Sequence, residues 1–578
     1  MPSGPALAAL FATHGTEASC RAGAPLYLAG DKADSLYRVE AGRLAVFRPG
    51  EEGRTRPLGI VGRGEIVGEM ALLRASPRST TVIALCDSRL RRIGADQLFA
   101  EAERNPLLWR DLAAIALMRM RDPDHPVGAR PARVIGLSAV SPSVDPHDAA
   151  CRIAAALRQQ GSRAAVIPEG SPAEAIDAGS QAHDHLLIPA ACGPGASGRL
   201  PGPSDFVEQW LLLADPADPL PPAAAAEARP GLLFDLLLVP GAGGAGQPAR
   251  WASLLGPRRL FTAALGKSAD VARIARRLRH ADVGLVLSGG GARAFAHIGA
   301  VRALREAGVP IDSVAGTSMG ALVAAAVACD WPDEEVDARM RDAFVATSPL
   351  DDIAFPMIAM TRGGKVERRL ERHFGSRLIE SLALPFFCVS ANLTRGTPHC
   401  HDRGLLAPAL RASISLPGIL PPVVADGEVL VDGGVLRNLP TDLMRQRHDG
   451  RVLAIDVSRA RGLSPEQIAM PPSMARWVIG GSWRCGPPIV SILMRSATLA
   501  SRVEQDMART AADVVVQPEL GAIEIRDWKA YPQAVAAGYA AMRAALEAGG
   551  GLEAALTPAR PPGATPEADA PAAARQRW

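Results

Sequence analysis

Gly316-Thr-Ser-Met-Gly320 sets a serine between two glycines, after Ser313-Val-Ala and before the apolar run Ala321-Leu-Val-Ala-Ala-Ala. A G-x-S-x-G turn between a strand and a helix is a nucleophile elbow. The tight turn lifts the hydroxyl off the sheet, and the dipole of the following helix favours a developing alkoxide. Ser318 is therefore the candidate nucleophile, and Gly316 and Gly320 are the positions where the turn has no room for a side chain. The chemistry this implies is acyl transfer through a covalent intermediate. The plainer alternative is a glycine-rich helix start that holds a serine by chance.

Such a serine needs a base. His373, His399, His401 and His448 lie downstream. None stands in a convincing strand-end loop, and each reads as a surface or packing histidine. His399-Cys-His401 offers too few ligands for a metal, and no metal site is expected. Asp432 is the better base. It closes the apolar run Val429-Leu-Val and opens a Gly-Gly turn, and carboxylates at strand ends of a parallel sheet point into the ligand crevice. A Ser–Asp dyad in a dry site suffices if the carboxylate takes the serine proton directly. The alternative for Asp432 is a turn-forming residue before two glycines.

A second glycine turn, Gly289-Gly-Gly-Ala-Arg293, follows the buried-strand pattern Val283-Gly-Leu-Val-Leu and precedes a helical stretch. Its backbone N–H groups form a nest suited to an oxyanion or a phosphate. The turn also resembles a dinucleotide fingerprint, with Asp312 near the ribose-binding spacing, but Asp312 precedes the next strand instead of ending it.

SGGGARA, GTSMG, RASISLPGILPPV and VDGGVLRNLP, in that order, resemble the patatin-like phospholipases, and among them the neuropathy target esterase branch. The resemblance implies an α/β fold with Ser318 as nucleophile, Asp432 as base and no catalytic histidine. It assigns the oxyanion-hole turn to Gly289, Gly290, Gly291 and Arg293. Ser413, Ser415, Pro417, Pro421 and Pro422 match a further block that shapes the site. One residue departs: Ala294 stands where the family usually has glycine.

The elements that must hold these residues divide the chain. Over 1–121, short alternating runs separated by glycine turns read as antiparallel strands, followed by a helix after Asn105-Pro. Gly68-Glu-Met-Ala-Leu-Leu-Arg-Ala-Ser-Pro-Arg78-Ser-Thr80 resembles the binding cassette of a cyclic-nucleotide-binding β-roll. That resemblance implies Gly68 and Glu69 at the start of a short helix, Glu69 toward the ribose, Arg78 toward the cyclic phosphate, and Ser79 and Thr80 beside it. Over 133–280, apolar strands alternate with helices, which predicts a degenerate Rossmann-like domain with a mostly parallel sheet. Residues 281–546 form the patatin-like α/β hydrolase domain, and 547–578 read as a disordered tail. The expected fold class is thus multidomain α/β.

Composition argues against a strongly basic nucleic-acid binder and against wholesale disorder. Among 578 residues, 63 Lys and Arg face 60 Asp and Glu, a net charge of +3. No helix-turn-helix pattern follows Arg121. The eight cysteines are scattered with no C-x-x-C, so neither a zinc ribbon nor a disulfide scaffold is expected. The N-terminus makes a poor signal peptide, and no uncharged apolar run reaches the roughly 18 residues of a membrane span. The expectation is a cytoplasmic serine esterase of phospholipids or lysophospholipids. It needs no catalytic cofactor, takes cAMP or cGMP as regulatory ligand, and touches membranes peripherally. Trp477–Leu499 is its candidate lipid flap, with a buried helical hairpin as the alternative. The rival expectation is a cyclic-nucleotide-responsive scaffold whose esterase part is inactive.

Overall fold

The computed structural model describes residues 4–21, 23–49, 55–85, 87–121, 132–190, 207–220, 234–241, 246–346, 352, 354, 358–458, 508–521 and 523–548. The expected flap over Trp477–Leu499 and the tail from residue 549 lie outside the described residues.

The first segment is a roll of two four-stranded sheets. One runs in the order Thr16–Cys20, Ser88–Gly94, Ser35–Ala41, Ile66–Val67, the other Pro25–Tyr27, Thr81–Ala84, Leu44–Pro49, Thr55–Val61. All their pairings are antiparallel. Val39, Leu44, Val82 and Leu90 fill the space between them. The helix Pro106–Arg121 begins where Asn105 caps it: Asn105 Oδ1 accepts from Leu107 N at 3.1 Å, and Pro106 takes the first helical position.

The middle segment is a six-stranded sheet in the order Ala164–Val166, His185–Ala190, Val134–Ala139, Gln209–Ala214, Phe234–Leu238, Arg259–Thr262. Every pairing is parallel. Both faces are covered, which is why these strands read as unbroken apolar runs. Leu137, Leu211 and Leu237 face the helices Pro146–Gln159 and Ser268–Leu278 on one side, while Leu186, Leu212 and Leu236 face Trp251 on the other.

The third segment is an eight-stranded mixed sheet. Its parallel part is Phe386–Asn392, Ser313–Thr317, Val283–Leu287, Arg451–Ile455 and Val514–Val516. Thr397–His401 and Glu428–Asp432 pair antiparallel with Phe386–Asn392, and Val423–Ala425 extends the latter. The helix Met319–Ala328 is apolar all round and buried along its whole length, as expected of a core helix. It anchors the turn that precedes it.

Among the described residues, no helix is long and apolar enough to cross a membrane.

Candidate active site

Two strand ends meet head to head. Cys388–Asn392 pairs with Thr397–His401 along one edge, so Ser313–Thr317 and Glu428–Asp432 share the other edge of the same strand. Thr317 stands opposite Val389 and Asp432 opposite Ser390. The serine that leaves one strand is thereby delivered to the carboxylate that ends the other. Ser318 has φ 55° and ψ −129°, a sparsely populated conformation that costs a non-glycine residue energy and turns its hydroxyl outward. Its Oγ donates to Asp432 Oδ2 at 2.6 Å. Asp432 Oδ1 accepts from Gly434 N at 2.8 Å.

Asp432 is 1 % exposed. Burial pushes its pKa up to about 6, although the Ser318 hydroxyl and the Gly434 amide pull it back. The carboxylate is thus basic enough to take a proton yet ionised at neutral pH. Ser413 holds the elbow from below: its Oγ accepts from Ser318 N at 3.0 Å and donates to Val389 O at 2.7 Å. Asp432 N donates to Ser415 O at 2.9 Å, and Arg411 donates to Ser415 Oγ at 2.6 Å. The RASIS stretch is therefore the scaffold that fixes both partners.

The Gly289–Gly291 turn packs directly against the elbow. A Cβ on Gly289 would lie 2.6 Å from Asn438 Oδ1 and 3.1 Å from Ser318 Cβ. Gly289 and Asn438 bind reciprocally, Gly289 N donating to Asn438 O and Asn438 Nδ2 to Gly289 O, each at 3.2 Å. Gly291 has φ 57°, which favours glycine. The amides of Gly290 and Gly291 have no hydrogen-bond acceptor among the described residues, as an oxyanion site requires. Arg293 braces the turn through two carbonyls. Its guanidinium donates to Val457 O and Ile523 O, both at 2.9 Å, and pins the back of the turn. Ala294 is fully buried in a 3-10 turn with no positive φ, so its methyl group sits in the core without strain. His297 Nε2 donates to Ser288 O at 2.8 Å, and burial drives its pKa down to about 4, which keeps it neutral.

The other sequence candidates fall elsewhere. Asp312 is consumed by a bidentate pair with Arg276, the closest contact 2.6 Å, and by Val283 N at 2.9 Å. It is a structural carboxylate and not a ribose ligand. His448 Nδ1 lies 3.2 Å from Ser313 Oγ and 3.2 Å from Asp282 Oδ2. This Ser–His–Asp grouping is buried at the start of the strand that Ser318 ends, and it packs the far end of the sheet. His373 sits beside Asp342. No group of three or more metal-ligating side chains occurs among the described residues. Asn438 and the Ser390–His401 contact of 2.8 Å were missed by sequence reasoning. Asn438 lies inside the quoted VDGGVLRNLP motif, which was the available signal.

In the roll, Gly68 has φ 101° and caps the short helix Glu69–Leu73. Arg78 Nη1 donates to Gly68 O at 2.9 Å and Nη2 to Ser35 O at 2.6 Å, with the guanidinium stacked 4.3 Å over the Tyr27 ring. Its Nε is buried without a partner among the described residues. Glu69 is buried, Thr80 half-buried and Ser79 exposed. The fold thus brings Gly68 and Arg78 into contact and leaves Ser79 at the surface.

Residues 285–445 match the family model of patatin-like phospholipases, and residues 17–105 match that of the cyclic nucleotide-binding domain. A Mycobacterium tuberculosis protein named as an NTE family protein is 34 % identical over 555 residues, covering 90 % of each chain. Human patatin-like phospholipase domain-containing protein 6 is 29 % identical over 525 residues, covering 75 % of this chain and 37 % of the human one. Aspergillus niger lysophospholipase nte1 is 25 % identical over 626 residues, covering 90 % of this chain and 41 % of the fungal protein.

Proposed function

The chain belongs to the NTE family, and from that premise we propose that it is a serine esterase of phospholipids or lysophospholipids working through a Ser318–Asp432 dyad. The observation that carries this reading is the 2.6 Å hydrogen bond from Ser318 Oγ to a buried, basic carboxylate. Ser318 Oγ attacks the ester carbonyl while its proton passes to Asp432. The oxyanion is held by the amides of Gly290 and Gly291, which have no acceptor among the described residues and whose turn Gly289 and Arg293 fix in place. The alkoxide leaving group departs with the proton from Asp432. Water then attacks the acyl-enzyme, with Asp432 again as base. The fungal relative's name, a lysophospholipase, supports a lysophospholipid substrate.

The roll is the regulatory part of this reading. A cyclic nucleotide would place its phosphate on Arg78, whose buried Nε has no partner among the described residues, and its ribose on Glu69. Binding regulates turnover only if the nucleotide has different affinities for two states of the enzyme. The assignment of 1–121 to a sensor, 133–280 to a middle domain and 281–546 to the catalytic domain belongs to the same proposal.

The test is hydrolysis of lysophosphatidylcholine and a short p-nitrophenyl ester by wild type and Ser318→Ala, with and without cAMP or cGMP. Turnover lost in Ser318→Ala while the fold persists is the expected result. Equal turnover in the two proteins would overturn the dyad, and equal rates with and without nucleotide would overturn the regulation.

A further inference from the structure

Ser390 stands between two polar neighbours. It pairs with Asp432 across one edge of its strand and with His399 across the other. Residues opposite one another in antiparallel strands turn their side chains to the same face, with Cβ atoms about 5 Å apart. The register therefore sets the Ser390 hydroxyl and the Asp432 carboxylate on one face of neighbouring strands. Among the described residues no hydrogen bond joins them; Ser390 Oγ instead lies 2.8 Å from His401 Nε2.

Ser390 is fully buried, so its proton must have an acceptor. His401 Nε2 is the side-chain acceptor in reach among the described residues. With Nε2 as that acceptor, Nε2 carries the lone pair and Nδ1 the proton. His401 keeps this role at working pH, because burial and the neighbouring His399 hold its pKa near 4. The groups around it are Cys388, opposite it in the register and with its thiol pKa raised by burial, the His399 ring at 4.6 Å, Asp402 with its partners Arg403 and Arg447, and Glu428, which binds Asn392 and Arg395. Asp432 is faced by Ser318 Oγ and Gly434 N.

We propose that His401 is a positioning residue: it draws the Ser390 hydroxyl off Asp432 and leaves Oδ2 to Ser318 alone. A Ser390 proton turned onto the carboxylate would stabilise its ionised form, weaken it as a base and compete with Ser318. The inference rests on the dyad reading above.

The experiment uses the full chain as wild type, His401→Leu, His401→Gln and the double variant His401→Leu/Ser390→Ala. One readout is the pH profile of kcat/KM on the p-nitrophenyl ester. The other is infrared titration of the Asp432 carboxyl, identified by its absence in Asp432→Asn. In His401→Leu the acid limb and the carboxyl titration move down by about one pH unit, and kcat falls about tenfold. His401→Gln, whose side-chain carbonyl still accepts the Ser390 proton, titrates as wild type. Deleting Ser390 in the double variant returns the titration to its wild-type position. An unmoved carboxyl in His401→Leu, or a double variant shifted like the single one, overturns the proposal. If His401→Leu does not fold, His401→Ala takes its place with the same expected shift. If wild type shows no Ser318-dependent turnover, the esterase reading fails, and the infrared titration still decides the role of His401.

Discussion

Ser318 Oγ donates to Asp432 Oδ2 at 2.6 Å, and among the described residues no histidine hydrogen-bonds to either group. In the proposed mechanism the base is this carboxylate, whose burial raises its pKa to about 6. It accepts a proton only when ionised, so kcat/KM rises with pH through about 6 and is flat above it. Asp432→Asn loses at least roughly a thousandfold in kcat. A pH profile centred near 7, or substantial turnover in the variant, would point to another base.

The same burial makes a stability prediction of opposite sign. The folded protein raises the Asp432 pKa above its unfolded value, so the protonated form is favoured in the native state. The ionised form costs about 3 kcal/mol. That cost is absent below pH 4, grows as pH rises, and is complete above about 6. Asp432→Asn therefore melts higher than wild type at pH 7 and equally at pH 4. Thermal melts at the two pH values check this, and a variant less stable at pH 7 contradicts it.

Ser318 carries its own strain. At φ 55° a side chain is disfavoured and glycine is not. Ser318→Gly and Ser318→Ala both lack the hydroxyl and both lose turnover, so their difference isolates the backbone. Ser318→Gly is expected to be the more stable by about 1 kcal/mol in denaturant titrations. Equal midpoints would mean that the elbow is not strained.

What was legible follows from the range of the interactions. The two glycine turns, the elbow and the Asp432 turn are local patterns, and the short-range geometry they demand is visible in a few consecutive residues. The meeting of Ser318 with Asp432 depends on a register, Thr317 to Val389 and Asp432 to Ser390, between strands far apart in the chain. No periodicity contains that register. The same holds for Ser413 beneath the Ser318 amide and for His401, whose role depends on its neighbour across the strand. The middle sheet shows the limit in another way: its strands are apolar on both faces, so their existence could be read but their order could not. Asp312 has the spacing of a ribose ligand but stands before its strand, which already argues against that role, and the structure has it in an ion pair.

That ion pair is itself testable. Asp312 is 2 % exposed, and Arg276 is its only cation among the described residues within ion-pair distance. Removing one partner of a buried pair leaves an uncompensated charge and costs about 3–5 kcal/mol. Arg276→Ala is expected to destabilise by that order. Arg276→Ala/Asp312→Asn recovers part of the loss, because the stranded charge is gone. An additive double variant would mean that the two residues act independently.

On the proposed regulation Arg78 does two jobs that one variant separates. Its Nη groups hold Gly68 O and Ser35 O, and its Nε, without a partner among the described residues, is left for the phosphate. Arg78→Lys keeps the charge but cannot span two carbonyls and a phosphate together. Calorimetric titration with cAMP and cGMP is expected to show affinity in wild type and a loss of about a hundredfold or more in Arg78→Lys, near 3 kcal/mol. Glu69→Gln, which keeps the shape and an acceptor, loses less. If Arg78→Lys binds as wild type does, the guanidinium is a strut of the roll and the nucleotide, if bound, is held elsewhere. If neither protein binds either nucleotide, the roll is a docking fold, and the regulatory half of the proposed function falls while the dyad stands.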